Sequence, residues 1–248
     1  MLELENVEKD YGQGNETFRV LRNINLKVPT GECLAIVGKS GCGKTTLLNI
    51  MAGLIEPSSG IVRFGRREIH KPNPDIAVVF QQYGLFPWKT VRKNLALPLQ
   101  LKHQRNRYGE VDEMLEKLEL TEQADKYICQ LSGGQRQRVA LGRALLCGKK
   151  VILMDEPFSA LDPVSREQLQ KGIKQLFQEK QITSVVVTHS ISEAIFLGDK
   201  IAVFSKKEKE IRWVVDNPLS GNADKNSSGY ATVKRQVEEL MTGENDVV

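Results

Sequence analysis

Leu34-Ala35-Ile36-Val37-Gly38-Lys39-Ser40-Gly41-Cys42-Gly43-Lys44-Thr45-Thr46 is the stretch whose reading decides the fold. Four apolar residues in a row predict a buried strand, and Gly38 to Thr45 has the spacing GxxxxGK[ST]. The glycines permit a tight turn, after which a helix is expected from about Lys44 to Leu54, stopped by Pro57 and Ser58-Ser59-Gly60. Consecutive backbone N–H groups at a helix start form a cradle for phosphate. The candidate contacts are Gly38, Lys39, Ser40, Gly41, Cys42, Gly43, Lys44, Thr45 and Thr46. Lys44 has the length to reach the β- and γ-phosphates, and the Thr45 hydroxyl suits Mg²⁺. A second glycine-bearing run, Leu131-Ser132-Gly133-Gly134-Gln135, lies far downstream. One nucleotide needs one cradle, so two such runs predict an ATP site completed by a second copy.

Working outward, 248 residues suffice for one large domain with a sizeable core, and a single domain over 1–248 is expected. The charge, 35 basic against 31 acidic residues, is too balanced to argue for a nucleic-acid partner. No apolar stretch approaches the roughly 20 residues of a membrane span. The acidic start, Met1-Leu2-Glu3-Leu4-Glu5, lacks the form of a signal peptide. Cys33, Cys42, Cys129 and Cys147 have no CxxC spacing, so neither a zinc site nor a disulfide framework is indicated. These features lead to the expectation of a cytosolic chain that does not cross a membrane alone.

Short β-branched runs alternate with helical patterns, which predicts an α/β fold with a mostly parallel sheet. Further strands are expected at Ile76–Phe80, Val151–Met154, Thr183–Val187 and Ile201–Phe204. Alternation in Leu2-Glu3-Leu4-Glu5 and in Ile24 to Val28 suits a half-exposed antiparallel layer, joined by Gly60 to Phe64. Val111, Met114, Leu115 and Leu118 recur at helical spacing, marking a helical subdomain inserted at about 88–147. A closing helix is expected at Tyr230–Met241.

The strand Val151-Ile152-Leu153-Met154 delivers Asp155 and Glu156 to the carboxyl end of the sheet. Asp155 is placed to hold Mg²⁺ through water, and Glu156 to act as general base on an attacking water. An Asp-Glu pair alone reads as a solvated turn; the upstream phosphate loop favours the chemical reading.

Leu131 to Gln135, continued by Arg136-Gln137-Arg138-Val139-Ala140, resembles the signature of the nucleotide-binding subunits of ATP-binding cassette (ABC) transporters. The resemblance covers nearly the whole chain in the family's motif order. It implies a P-loop NTPase core that carries an antiparallel β subdomain and an inserted α-helical one. It further implies that Tyr11 stacks on adenine and that Gln81 contacts Mg²⁺ and the membrane partners, with the neighbouring Gln82 open as an alternative register. Ser159-Ala160-Leu161-Asp162 resembles the D-loop between protomers, and Asp162 before Pro163 also reads as a helix N-cap. His189 resembles the switch histidine at the γ-phosphate. Ser132, Gly133, Gly134 and Gln135 would then serve the ATP held by a partner copy or a homologous subunit. Two integral-membrane permease subunits and an extracytoplasmic solute-binding protein are the other implied partners. The implied location is the cytoplasmic face of the cell membrane.

Leu85-Phe86-Pro87-Trp88-Lys89-Thr90-Val91-Arg92-Lys93-Asn94 resembles importers of nitrate, aliphatic sulfonates and taurine. Its apolar residues suit either a groove for a permease helix or a local hydrophobic cluster. Ser190 stands where the family often has aspartate after the histidine, and Ile128 where proline is frequent. Cys42 stands where serine is common, so thiol alkylation is expected to block nucleotide entry. Two alternatives share these motifs: an exporter or lipoprotein-release ATPase, and a soluble ABC ATPase of iron–sulfur assembly or of ribosomes.

Overall fold

Strand β3, Cys33–Gly38, is buried along its whole length, and its alternating side chains feed two different cores. Leu34 and Ile36 point into one apolar cluster and Ala35 and Val37 into another, the two-residue period of a strand covered on both faces. A computed structural model describes residues 1–13 and 16–242.

In sheet order, β3 lies between β8 (Thr183–Thr188) and β9 (Lys200–Phe204), parallel to both, with Ile36 opposite Val187 and Ala202. β7 (Val151–Asp155) and β6 (Ile76–Val79) continue the parallel sheet beyond β8. β10, Ile211–Asp216, closes the opposite edge antiparallel to β9. That strand was not expected from the sequence, although its half-buried positions alternate with exposed Arg212 and Val214 as an edge strand's do.

β1 (Leu2–Gln13), β2 (Glu16–Val28), β4 (Ser59–Phe64) and the short β5 (Arg67–Glu68) form the antiparallel layer, in the order β2-β1-β4-β5. Its inner residues Leu4, Leu21 and Ile24 share one core with Leu47, Leu48 and Met51 of α1, Lys44–Met51. Each such fully buried side chain contributes about 1.5–3 kcal/mol. Helix α1 ends before the expected Leu54, where the chain reverses through Gly53 at φ +74°. A side chain on Gly53 would strike the Lys71 carbonyl.

On the other face, α2 (Val91–Leu101), α3 (Gly109–Lys117) and α4 (Gly133–Leu146) build the helical region. Val111, Met114, Leu115 and Leu118 are buried there, as their spacing predicts. Buried Asn94 ties this region to the segment before it. Its amide oxygen accepts from the Phe86 N–H at 2.9 Å, and its NH₂ donates to the Phe86, Lys89 and Thr90 carbonyls. Helix α5, Pro163–Glu179, runs between β7 and β8; α6, Ile191–Leu197, and the closing α7, Ser228–Thr242, cover β3 and β9.

Candidate active site

The phosphate loop leaves β3 at Gly38, where a β-carbon would lie 2.8 Å from the Phe204 carbonyl oxygen. Gly43, at φ +117°, turns the chain into α1, a conformation that L side chains rarely adopt. The Lys44 ammonium is buried against its own loop. It donates to the Gly38 carbonyl at 2.7 Å and the Lys39 carbonyl at 3.0 Å, and lies 3.6 Å from the Cys42 sulfur. Ser40, Gly41, Gly43, Lys44, Thr45 and Thr46 line an open cleft of ≈ 270 Å³ with Gln81, Asp155 and Glu156.

The start of α1 and the end of β7 bring residues separated by more than a hundred positions to one spot, where the Thr45 hydroxyl donates to Asp155 Oδ2 at 2.8 Å. Burial raises the Asp155 carboxyl above its usual range; the Thr45 hydrogen bond opposes this and the Glu156 charge adds to it. A hydroxyl and a carboxylate are hard oxygen donors, and a divalent cation would relieve the cost of keeping that carboxylate charged. The pair therefore fits Mg²⁺. Among the described residues no group of three or more His, Cys, Asp or Glu could hold a metal, so nucleotide oxygens and water would complete such a site.

Glu156 follows with φ +47°, a strained value for a non-glycine residue, costing of order 1–3 kcal/mol. Its backbone is held on both sides. The Glu156 N–H donates to the Val187 carbonyl at 2.9 Å. The Glu156 carbonyl accepts from Gln137 Nε2 at 2.9 Å and from the Ser159 hydroxyl at 3.1 Å. This fixed turn aims the carboxylate between two partners: His189 Nδ1 lies 3.1 Å from Oε1, and Gln81 Nε2 donates to Oε2 at 3.4 Å. Gln81, not Gln82, thus faces the site. His189 follows β8 with its side chain 66% exposed.

Other expected residues lie elsewhere. Ser132 caps α4, its Oγ accepting from the Gln135 N–H while Gln135 Oε1 accepts from the Ser132 N–H. Exposed Ser132 and Gly133, with half-buried Gly134 and Gln135, do not line this chain's phosphate cleft. Asp162 is also outside it; it caps α5 by accepting from the Ser165 N–H at 3.0 Å, which holds its carboxyl below the usual range. Tyr11 sits across the β-ribbon from Phe18, and it is Phe18, 64% exposed with the Lys209 ammonium 4.0 Å from its ring centroid, that lines the cleft. The alternating pattern of the ribbon carried no sign that Phe18 belongs there.

Cys42 corrects an expectation. Its side chain is buried against Gly38 and Lys44, and burial pushes its thiol above the ordinary value, so it is shielded from alkylation. Gln137 is the functional residue that sequence reasoning assigned no role. Only 2% exposed, it joins the Glu156 carbonyl to the Ala160 N–H, which its Oε1 accepts at 3.0 Å. Its signal was a polar residue on the inward face of a helix that is otherwise apolar there. In the Leu85–Trp88 segment, Leu85 packs on the core, whereas Trp88 is 68% exposed and meets Phe86 edge-on at 5.4 Å.

Residues 21–159 match the family described as ABC transporter. The bicarbonate transport ATP-binding protein CmpD of Synechococcus elongatus is 42% identical over 206 residues, covering 82% of this chain and 74% of that protein. The aliphatic sulfonates import ATP-binding protein SsuB of Bacillus licheniformis is 39% identical over 230 residues, covering 93% of this chain and 90% of that one. Among solved structures, a dimeric post-hydrolysis state of the ATP-binding cassette MJ0796 bound to ADP and Pi is similar at TM-score 0.80 and 36% identity. It covers 87% of this chain and 98% of that one. The phosphate loop, the adjoining carboxylates, the capped signature helix and these likenesses agree: the chain belongs to the ABC transporter family, as an ATP-hydrolysing cassette.

Proposed function

We propose that this chain is the ATPase subunit of an importer for a small anion, acting as a head-to-tail pair at the cytoplasmic face of a membrane. The observation that carries the reading is the convergence of Thr45–Asp155 and Gln81–Glu156–His189 on one phosphate cleft. In this reading Lys44 leaves its loop carbonyls for the β- and γ-phosphates, while the N–H groups of Gly38 to Thr46 hold the phosphate chain. Phe18, beside Tyr11, offers a ring to the base. Bound Mg²⁺ would supply charge neutralisation at the β- and γ-phosphates, held by Thr45 and Asp155 with Gln81 nearby. Glu156 takes the proton of the attacking water, and His189 steadies the Glu156 carboxylate and the γ-phosphate.

The Ser132–Gln135 cap lies outside this chain's own cleft, with Ser132 and Gly133 exposed, which supports its use by a second copy. Ser132 to Gln135 would then supply backbone donors and a helix start to the partner's ATP. Among the described residues no helix is long and apolar enough to cross a membrane; the transport and import roles printed for its relatives support separate permease subunits as partners. Exposed Trp88 is a candidate contact for them. The bicarbonate and sulfonate cargoes named for its relatives support a small anion, with nitrate and taurine in the same range and an extracytoplasmic solute-binding protein as delivery partner.

Glu156→Gln tests the site: ATP should trap a stable dimer by light scattering, with hydrolysis reduced at least 100-fold. Wild-type turnover in that variant would overturn the general-base role. For the cargo, the purified transporter's ATPase should rise with one of bicarbonate, nitrate, a sulfonate or taurine; co-purification with ribosomes and no permease would refute the importer reading.

A further inference from the structure

The turn between β9 and β10 reaches across to the Phe18 ring through one residue, Lys209. Its ammonium lies 4.0 Å from the ring centroid, within range of a cation–π contact, and also donates to the Arg19 carbonyl. The Lys209 carbonyl accepts from the Arg22 N–H at 2.8 Å. β2 is the edge strand of the antiparallel layer, so Lys209 satisfies backbone groups that no further strand pairs. The turn is itself fixed. The Lys209 N–H donates to the Ser205 carbonyl at 3.0 Å, and buried Ser205 donates its own N–H to the Glu210 carbonyl at 2.9 Å. Lys209 holds φ +62°, a region that favours glycine, so the position carries a long cationic side chain against its backbone preference.

The same stretch of ribbon meets the phosphate loop. A β-carbon on Gly43 would lie 3.0 Å from the Val20 carbonyl oxygen, and Phe18 and Val20 line the cleft with Lys44 and Thr45. The cross-strand partner Tyr11 is held differently. The Lys9 ammonium lies 5.1 Å from its ring centroid and donates to the Glu56 carbonyl at 2.8 Å, and Tyr11 does not line the cleft. Two lysines thus sort two adjacent rings. A phenyl ring 64% exposed on a ribbon has several staggered rotamers open to it. A fixed cation against the ring, tethered to the next residue's carbonyl, narrows that choice before any ligand arrives. The face of a purine is a π-surface, and an aromatic ring already set beside the phosphates gives it a partner for stacking.

We propose that Lys209 is a positioning residue for the nucleotide base: it holds the Phe18 ring at the phosphate cleft, so the β9–β10 turn sets affinity for ATP without touching the phosphates. The proposal rests on the reading of that cleft as the ATP site.

The test measures kcat and KM for ATP in the purified ATPase-active assembly, together with inhibition by magnesium tripolyphosphate, which has the phosphates and no base. Lys209→Met and Phe18→Leu should each raise KM for ATP at least fivefold, with kcat and the tripolyphosphate inhibition constant within twofold of wild type. Lys209→Arg keeps a cation and should hold KM within twofold. The double variant Lys209→Met/Phe18→Leu should be no worse than Phe18→Leu, because the lysine acts through the ring. Unchanged KM in Lys209→Met, an equal loss of tripolyphosphate affinity, or losses that multiply in the double variant would each overturn the proposal. Equal loss of tripolyphosphate would make Lys209 a prop for the ribbon alone. Lys209→Gln keeps a donor for the Arg19 carbonyl and decides the question by the same readings if Lys209→Met fails to fold. Lys44→Ala checks the site itself: it should weaken ATP and tripolyphosphate alike, and full affinity for both would instead bring down the assignment of the cleft.

Discussion

Replacing Gln137 by leucine removes a side chain that spans two backbone groups and puts an apolar one of similar volume in its place. The lost bonds are Nε2 to the Glu156 carbonyl, 2.9 Å, and the Ala160 N–H to Oε1, 3.0 Å. The Glu156 carbonyl keeps the Ser159 hydroxyl, so its loss is one net hydrogen bond, about 1 kcal/mol. The Ala160 N–H has no second partner among the described residues and, if it stays shielded, costs about 1–3 kcal/mol. The expected destabilisation is therefore about 2–4 kcal/mol, read as a lower urea midpoint at constant m-value. Activity should fall further than stability. The Glu156 backbone sits at φ +47°, and relaxing that strain swings its carboxylate away from His189 and Gln81. A misplacement of about 1 Å costs on the order of 100-fold. Steady-state phosphate release at saturating ATP, on protein shown folded by circular dichroism, measures it. A variant within 0.5 kcal/mol and twofold in kcat of wild type would refute the argument that Gln137 holds the turn.

The cysteines should separate by burial: a thiol reagent on native protein at pH 8 should modify exposed Cys129 first, as read by peptide mass spectrometry. Cys42 and Cys33, the latter with its thiol pushed up to about 11 by burial, should react only after denaturation, and ATP binding should survive native labelling. Asp199 carries a pH prediction. Burial alone would raise its carboxyl, but hydrogen bonds from Ser220, the Cys33 N–H and Lys174 hold it below the usual range. A depressed folded-state pKa gives stability that is present above the unfolded value, about 3.9, and is lost as pH falls through the folded one. Asp199→Asn should cost about 3 kcal/mol at neutral pH by stranding buried Lys174, and the gap to wild type should narrow below about pH 4. A gap that stays constant from pH 7 to pH 3 would contradict this account.

Much of the site was legible because it is local. The Gly38–Thr46 run encodes its own turn and helix start, and the apolar residues before it encode a strand that needs cover on both faces. Asp155 could be placed by the same logic, at the end of another buried strand. Ser132 and Gln135 also carry their reciprocal cap within four residues. The choice between Gln81 and Gln82 was not local, since it depends on which side of the chain after β6 turns toward β7, and only Gln81 meets Glu156. Phe18 and Tyr11 are cross-strand neighbours of similar chemistry, and the approach of the ribbon to the phosphate loop decides which one lines it.

From sequence alone came the phosphate loop, the acidic pair, the signature cap and the layered α/β arrangement, because backbone conformation and side-chain period are set by near neighbours. Tertiary structure alone decided that Cys42 is shielded, that Gln137 pins the Glu156 turn, and that Glu193 is buried. Those facts depend on residues tens of positions apart meeting in a low-dielectric interior, where one unpartnered polar atom is costly and one hydrogen bond fixes a geometry. No period or spacing along the chain records such meetings.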